Sequence, residues 1–233
     1  MAKGVCLVTG VGPGTGVACV KKFAAEGYDV AMCARTPDKL EALAAEIKGA
    51  HAYPTDVTDG AAVAATFAKV RKDLGPVDVL IHNAGNAVFG DFRTVDVEAM
   101  EGAWRVNVLA LYHCAREAAA DMQKKGAGTI LVTGATASLR GGAGMAAFAP
   151  AKGAQRLFAQ SMARTLGPEG IHVSLAIIDG VIDMPLTRSF MGDKPDDFFL
   201  KPSAIADAYY AVHMQNRSAW TFEHDLRPFG ERW

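Results

Sequence analysis

Four glycines at alternate positions, Gly10, Gly12, Gly14 and Gly16, mark the part of this chain best suited to chemistry. They lie in the stretch VCLVTGVGPGTG, from Val5 to Gly16. An apolar run (Val5, Cys6, Leu7, Val8) precedes the loop and reads as a buried strand. A helical pattern (Val17, Val20, Ala24) follows it. Backbone without a Cβ takes positive φ and lets a ligand come close. The helix that follows points its unpaired N–H groups and positive dipole end at the loop, an anion site suited to pyrophosphate. Strand, glycine loop and helix in this order begin a dinucleotide-binding βαβ unit. Other chemistry is absent from the pattern. The six histidines have no ligand spacing, so no metal is expected. The four cysteines (Cys6, Cys19, Cys33, Cys114) form no C-x-x-C pair and read as buried free thiols of a reducing compartment.

The elements that must position the loop alternate along the chain. Strand-like runs occur at Asp29–Ala34, His51–Pro54, Val77–His82, Thr129–Thr133 and His172–Ile178, and an edge strand at Trp220–Asp225. Helical patterns lie between them at Lys39–Lys48, Ala61–Leu74, Val97–Lys124 (with a bend or two), Met145–Leu166 and Ala204–Gln215. Alternating β and α elements predict an α/β fold: one doubly wound domain over residues 1–233, a parallel sheet of about seven strands with helices on both faces. No repeat or Pro/Gly-rich linker divides it. Half of the 233 residues are hydrophobic, a fifth are charged and the net charge is −1, which argues against nucleic acid or a membrane surface as partner. With no signal-peptide anatomy and no apolar run of spanning length, a cytoplasmic protein is expected.

The residues also resemble a known family, the short-chain dehydrogenases/reductases, whose members have a Rossmann-type fold. The resemblance runs from about Val5 to Pro185. Thr9-Gly10-x-x-x-Gly14-x-Gly16 is similar to the family's cofactor loop, and Asp56-Val57 to the pair that meets the adenine ring. Asn83-Ala84-Gly85 is similar to the motif that steadies the sheet beside the cofactor. Asn107, in RVNVLA, matches the helix asparagine of the catalytic tetrad. Lys152 falls where the active-site lysine stands, and Gly180-x-Ile182 resembles the segment that contacts the nicotinamide amide. The acidic residue of NAD-specific members is Ala34 here, followed by Arg35, a guanidinium able to pair with a 2′-phosphate. NADP(H) is therefore expected rather than NAD(H), although Pro13 stands before Gly14 where many NADP-preferring members carry a basic residue. The resemblance further implies a homodimer or homotetramer packed through two long helices, with Ala115, Ala118 and Ala119 permitting close contact.

The catalytic positions depart from that family pattern. Phe148 occupies the position of the tyrosine in Tyr-x-x-x-Lys, and Ala135 that of the serine thirteen residues earlier. Phenylalanine has no proton to give and alanine cannot hold a substrate oxygen. Substitutes are Thr136 and Ser138 in the same loop, Lys152 itself, and Asp179, which replaces a proline at the carboxyl end of the sixth strand. The Asp179 carboxyl reads either as an acid facing the nicotinamide pocket or as a cap on the next turn. Met184 replaces a cofactor-contacting threonine, Met145 stands where an enoyl-reductase tyrosine would, and Tyr112 and His113 read as packing residues. Three functions follow: an oxidoreductase with an altered proton relay acting on a hydrophobic carbonyl or α,β-unsaturated substrate; a cofactor-binding sensor or scaffold without turnover; and a non-redox lyase or isomerase. The resemblance implies that Asp183–Pro202 closes over substrate, where Phe190, Met191, Phe198 and Phe199 would give it an apolar inner face, and that the ending RPFGERW lies near a subunit interface.

Overall fold

The computed structural model describes residues 2–231. In chain order, β1 (Val5–Thr9), α1 (Thr15–Ala25), β2 (Asp29–Cys33), α2 (Pro37–Glu46), β3 (Ala50–Ala52), α3 (Gly60–Asp73) and β4 (Val77–His82) come first. Next are α4 (Val97–Trp104), a π-helical turn (Arg105–Leu109), α5 (Ala110–Lys125), β5 (Gly128–Thr133), α6 (Phe148–Leu166) and β6 (Ile171–Ile178). The chain then makes β7 (Val181–Ile182), α7 (Pro185–Phe190), β8 (Phe199–Leu200), α8 (Pro202–His213) and β9 (Glu223–Leu226). Seven strands form one sheet in the order β3-β2-β1-β4-β5-β6-β9. Every neighbouring pair in it is parallel.

A parallel sheet is covered on both faces, so its central strands read as continuous apolar runs. All of β1 and all of β6 are buried, His172 and Ser174 included. Alternate residues feed two cores. Val5, Leu7, Leu80, Ile130 and Val173 pack on the α3, α5 and α6 side. Cys6, Val8, Val79, Ile81 and Leu131 pack on the α1 and α8 side. The helices stop and start where side chains satisfy their ends. Asp59 caps α3 by accepting from the Ala61 and Ala62 amides, and α5 ends at Gly126 with φ 65°. The strand order reverses at β1, which opens a crevice at the carboxyl ends of β1 and β4, the position at which open α/β sheets bind ligands.

Three expectations change in detail. The long helix is interrupted once, by the π turn at Arg105–Leu109. The last strand is displaced to Glu223–Leu226 because its partners lie on β6, from Leu175 to Ile178. Ala115 and Ala118 belong to the core against the sheet, so they are not available to a second subunit. Phe229 is exposed, while Arg232 and Trp233 of the terminal motif lie outside the described residues.

Candidate functional site

The glycine loop leaves β1 at the crevice. Gly14 caps α1 with φ 112°, a conformation an L side chain rarely adopts. Gly16 needs its missing side chain for space, since a Cβ there would lie 2.4 Å from the Gly10 carbonyl oxygen. At Gly12 a Cβ would meet nothing within 4 Å. The Thr15 hydroxyl is buried in the first turn of α1 and has no hydrogen-bond partner among the described residues. An orphaned hydroxyl beside an uncapped helix N-terminus fits an oxyanion such as pyrophosphate.

Asn83-Ala84-Gly85 ties this loop to the neighbouring strands. Asn83 Nδ2 donates to the Gly10 carbonyl at 2.9 Å, and its Oδ1 accepts from Thr133 Oγ1 at 3.2 Å. The Ala84 amide donates to Thr9 Oγ1, which also contacts His82 Nδ1 at 3.2 Å. A Cβ at Gly85 would lie 3.1 Å from Asn107 Oδ1 and 3.5 Å from Lys152 Nζ, so the motif runs directly from the loop to these two side chains.

Lys152 projects from the first turns of α6 and is 5% exposed. Its ammonium donates to the Thr133 carbonyl at 2.9 Å and to Gln155 Oε1 at 3.0 Å. Burial pushes its pKa down to about 8. His82, also buried, is pushed down to about 3, by burial first and by the Lys152 charge second. Asn107 sits in the π turn, where its Nδ2 donates to Asn86 Oδ1 at 2.8 Å and to the Ala103 carbonyl at 2.9 Å. Its Oδ1 is buried without a partner among the described residues and faces Gly85. Gln155 was not foreseen as part of this cluster. Its signal lay in the spacing of Lys152, Gln155, Ala159, Met162 and Leu166, which puts it on the buried stripe of α6.

The substituted positions are at the same place. Phe148 opens α6 one turn before Lys152 and meets Phe89 edge to face, ring centroids 5.9 Å apart. Phe89 is 65% exposed, so the pair presents an apolar aromatic face at the surface. Ala135 donates its amide to Ser138 Oγ at 3.1 Å, which turns that hydroxyl back onto the loop. Thr136 Oγ1 donates to Asp179 Oδ1 at 2.6 Å, and Arg227 Nη1 lies 3.6 Å from Asp179 Oδ2. Asp179 therefore joins the ends of β5, β6 and β9, with both carboxylate oxygens engaged.

The outer parts of the crevice follow the sequence pattern. Arg35 is exposed just past β2, close enough to Asp56 to act on its charge. Asp56 itself is held below the usual carboxylate range, chiefly by the Thr58 amide and hydroxyl, and Val57 packs against the core next to it. Gly180 packs against Pro228, to which a Cβ would come within 2.7 Å. Ile182 and Met184 lie over the glycine loop, 3.8 and 3.4 Å from where a Gly14 Cβ would stand. Of the residues expected to give that segment an apolar inner face, Phe199 is buried under the Arg188 guanidinium, 3.9 Å from the ring centroid, Phe198 is half-buried edge to face against it, and Phe190 (78%) and Met191 are exposed. Tyr112 and His113 pack against each other, Tyr112 also against Phe158 and His113 against Gly60.

Parallel sheet, switch-point crevice and glycine-bearing helix N-terminus together define a doubly wound α/β protein built for a dinucleotide. The chain belongs to the short-chain dehydrogenases: the family model described as short chain dehydrogenase matches residues 4–194. The crystal structure of a short-chain dehydrogenase from Rhodopseudomonas palustris is 37% identical and superposes with a TM-score of 0.84, covering 97% of this chain and 99% of that one. An alcohol dehydrogenase from the archaeon Thermococcus sibiricus, complexed with 5-hydroxy-NADP, is 25% identical with a TM-score of 0.87, covering 98% and 97%. The inactive 2-(S)-hydroxypropyl-CoM dehydrogenase 2 of Xanthobacter autotrophicus is 36% identical over 172 residues, 73% of this chain and 74% of that protein.

Proposed function

We propose that this chain is an NADP(H)-dependent oxidoreductase whose proton relay does not use a tyrosine, acting on a hydrophobic carbonyl or α,β-unsaturated substrate. The observation that carries the reading is the buried Lys152 ammonium, fixed beside Gly85 and Asn107, one helical turn from the aromatic pair of Phe148 and Phe89. A nicotinamide cofactor, when bound, supplies or accepts the hydride. In this reading Gly10, Gly12, Gly14, Thr15 and Gly16 hold its pyrophosphate. Arg35 pairs with the 2′-phosphate, and Asp56 and Val57 flank the adenine. Asn83, Ala84 and Gly85 form the floor, and Gly180 and Ile182 meet the nicotinamide amide. Lys152 binds the ribose and holds the proton, Asn107 shapes the lysine's surroundings, and Asp179 fixes Thr136 at the rim. The bound NADP derivative of the Thermococcus relative supports the phosphate assignment. Self-association as a homodimer or homotetramer is part of the same reading, supported by exposed Trp104, Leu109, Tyr112 and Leu157 on neighbouring helices.

An activated alkene suits this site better than a ketone. When hydride reaches the β-carbon, the negative charge spreads into an enolate, and the proton is delivered afterwards to the α-carbon. A ketone needs its oxygen protonated as hydride arrives, a task for which Phe148 and Ala135 have no group. The test is NADPH consumption on ketones paired with their α,β-unsaturated analogues. Reduction of the alkenes alone is expected, with Lys152→Ala lowering it by about 100-fold. NADPH binding without consumption of either class, together with a gain of ketone turnover in Phe148→Tyr, overturns the reading. That result favours a second one, a cofactor-binding protein without turnover. The two missing hydroxyls and the kinship to a dehydrogenase described as inactive speak for it.

A further inference from the structure

We propose that Gln155 is a positioning residue for Lys152: its side-chain amide links the Asn107 main-chain carbonyl to the lysine ammonium and fixes where that ammonium sits. The proposal rests on the role given to Lys152 above and adds a residue to that site. Gln155 is wholly buried, and both ends of its amide are used. Nε2 donates to the Asn107 carbonyl at 2.8 Å, and Oε1 accepts from Lys152 Nζ at 3.0 Å. The orientation is dictated by chemistry. A carbonyl only accepts and an ammonium only donates, so the reversed amide would lose both bonds.

The π turn accounts for the carbonyl being in reach. At its end the Ala110 amide bonds back to the Arg105 carbonyl, five residues earlier, which shifts the turn out of α-helical register. Within that turn the Asn107 carbonyl takes a donor from α6. The link therefore spans two helices and joins the backbone of one to the charge of the other.

The link matters because of what surrounds the lysine. Among the described residues no carboxylate pairs with Lys152. Its partners are neutral acceptors, the Thr133 carbonyl from β5 and Gln155 from its own helix. Asn107 approaches from the π turn, and His82, on β4, is the titratable neighbour. Gln155 thus supplies one of the two bonds that offset burial of the charge.

The test reads the lysine directly and needs no turnover. Protein labelled with ¹³C at lysine Cε is titrated by NMR without cofactor, the Lys152 signal being the one lost in Lys152→Met. Gln155→Met keeps the volume and removes both bonds. The Lys152 midpoint is expected to fall by about one pH unit, tenfold in the protonation ratio. Gln155→Glu puts a carboxylate in place of the acceptor, and the midpoint is expected to rise. Midpoints that match the unsubstituted protein in both variants, with far-UV circular dichroism retained, overturn the proposal. Should Gln155→Met fail to fold, Gln155→Glu decides alone: a rise supports the link and no rise removes it. Shifted midpoints in a chain that reduces no substrate leave the link standing and remove only the enzymatic reading.

Discussion

Two charged side chains are buried among the described residues, Asp121 and Lys152, and they are stabilised in opposite ways. Lys152 has neutral acceptors. Asp121 has a cation: Arg71 Nε donates to its two oxygens at 2.8 and 2.9 Å, and the Val77 amide to one of them at 3.2 Å. Removing the cation strands the buried Asp121 carboxylate, and with Arg71 itself 30% exposed, Arg71→Met is expected to cost about 2 kcal/mol. Urea unfolding checks this, and a loss below about 1 kcal/mol, the value of an exposed pair, contradicts it. Lys152 was legible from its place at the end of a five-residue pattern, Phe148-x-x-x-Lys152, which lies within one stretch of sequence. Gln155 and Asp121 were not. Their partners lie 48 and 50 residues away in the chain, and only helix packing brings them together.

At the scale of elements, the glycine loop separates two kinds of glycine. Gly16→Ala drives a methyl against the Gly10 carbonyl oxygen and is expected to lower both thermal stability and dinucleotide binding. Gly12→Ala meets open space and is expected to leave stability within about 0.5 kcal/mol while weakening the dinucleotide, because the ligand needs that approach. Thermal melts with and without NADPH distinguish the two. A melting loss in Gly12→Ala equal to that of Gly16→Ala contradicts the assignment. The strands were legible because burial on both faces leaves them as bare apolar runs, and the order of β and α elements was read correctly. The ends of the elements shifted by one to three residues, since caps depend on local hydrogen bonds. An irregularity in the long helix was expected from its length. Its π-helical form was not, because no residue type in RVNVL demands the wider turn.

For the molecule as a whole, buried bases set the pH range of stability. His82 is pushed down to about 3 and His213 to about 4 by burial, and His172 and His224 move the same way. An unfolded histidine titrates near pH ~6.5. Below that value the unfolded chain binds protons that the folded chain refuses, so stability falls as the pH drops toward 3. For fully buried His82 the slope is about 1.4 kcal/mol per pH unit; the partly exposed histidines add less. Lys152 acts at the other end. Its folded pKa of about 8 lies below the ordinary lysine value, so its own contribution rises between about pH 8 and 10.4. The four buried thiols, all pushed up by burial, oppose it: above about pH 8.5 the unfolded chain gives up their protons first, and stability falls. Urea midpoints are expected to be level from about pH 6.5 to 8 and to fall steadily below, less steeply in His82→Gln. An unchanged midpoint at pH 5 contradicts this.

The strand order also governs how the protein emerges from the ribosome. β2 and β3 close one flank of β1 by residue 52, while the other flank gains β4, β5 and β6 in turn and receives its final edge only when residue 226 has been made. Until then β6, buried along its whole length in the finished protein, shows an unpaired row of amides and carbonyls on a hydrophobic strand. The nascent chain is thus sealed on one side and adhesive on the other, and translation halted between residues 178 and 223 leaves fragments that associate through that edge.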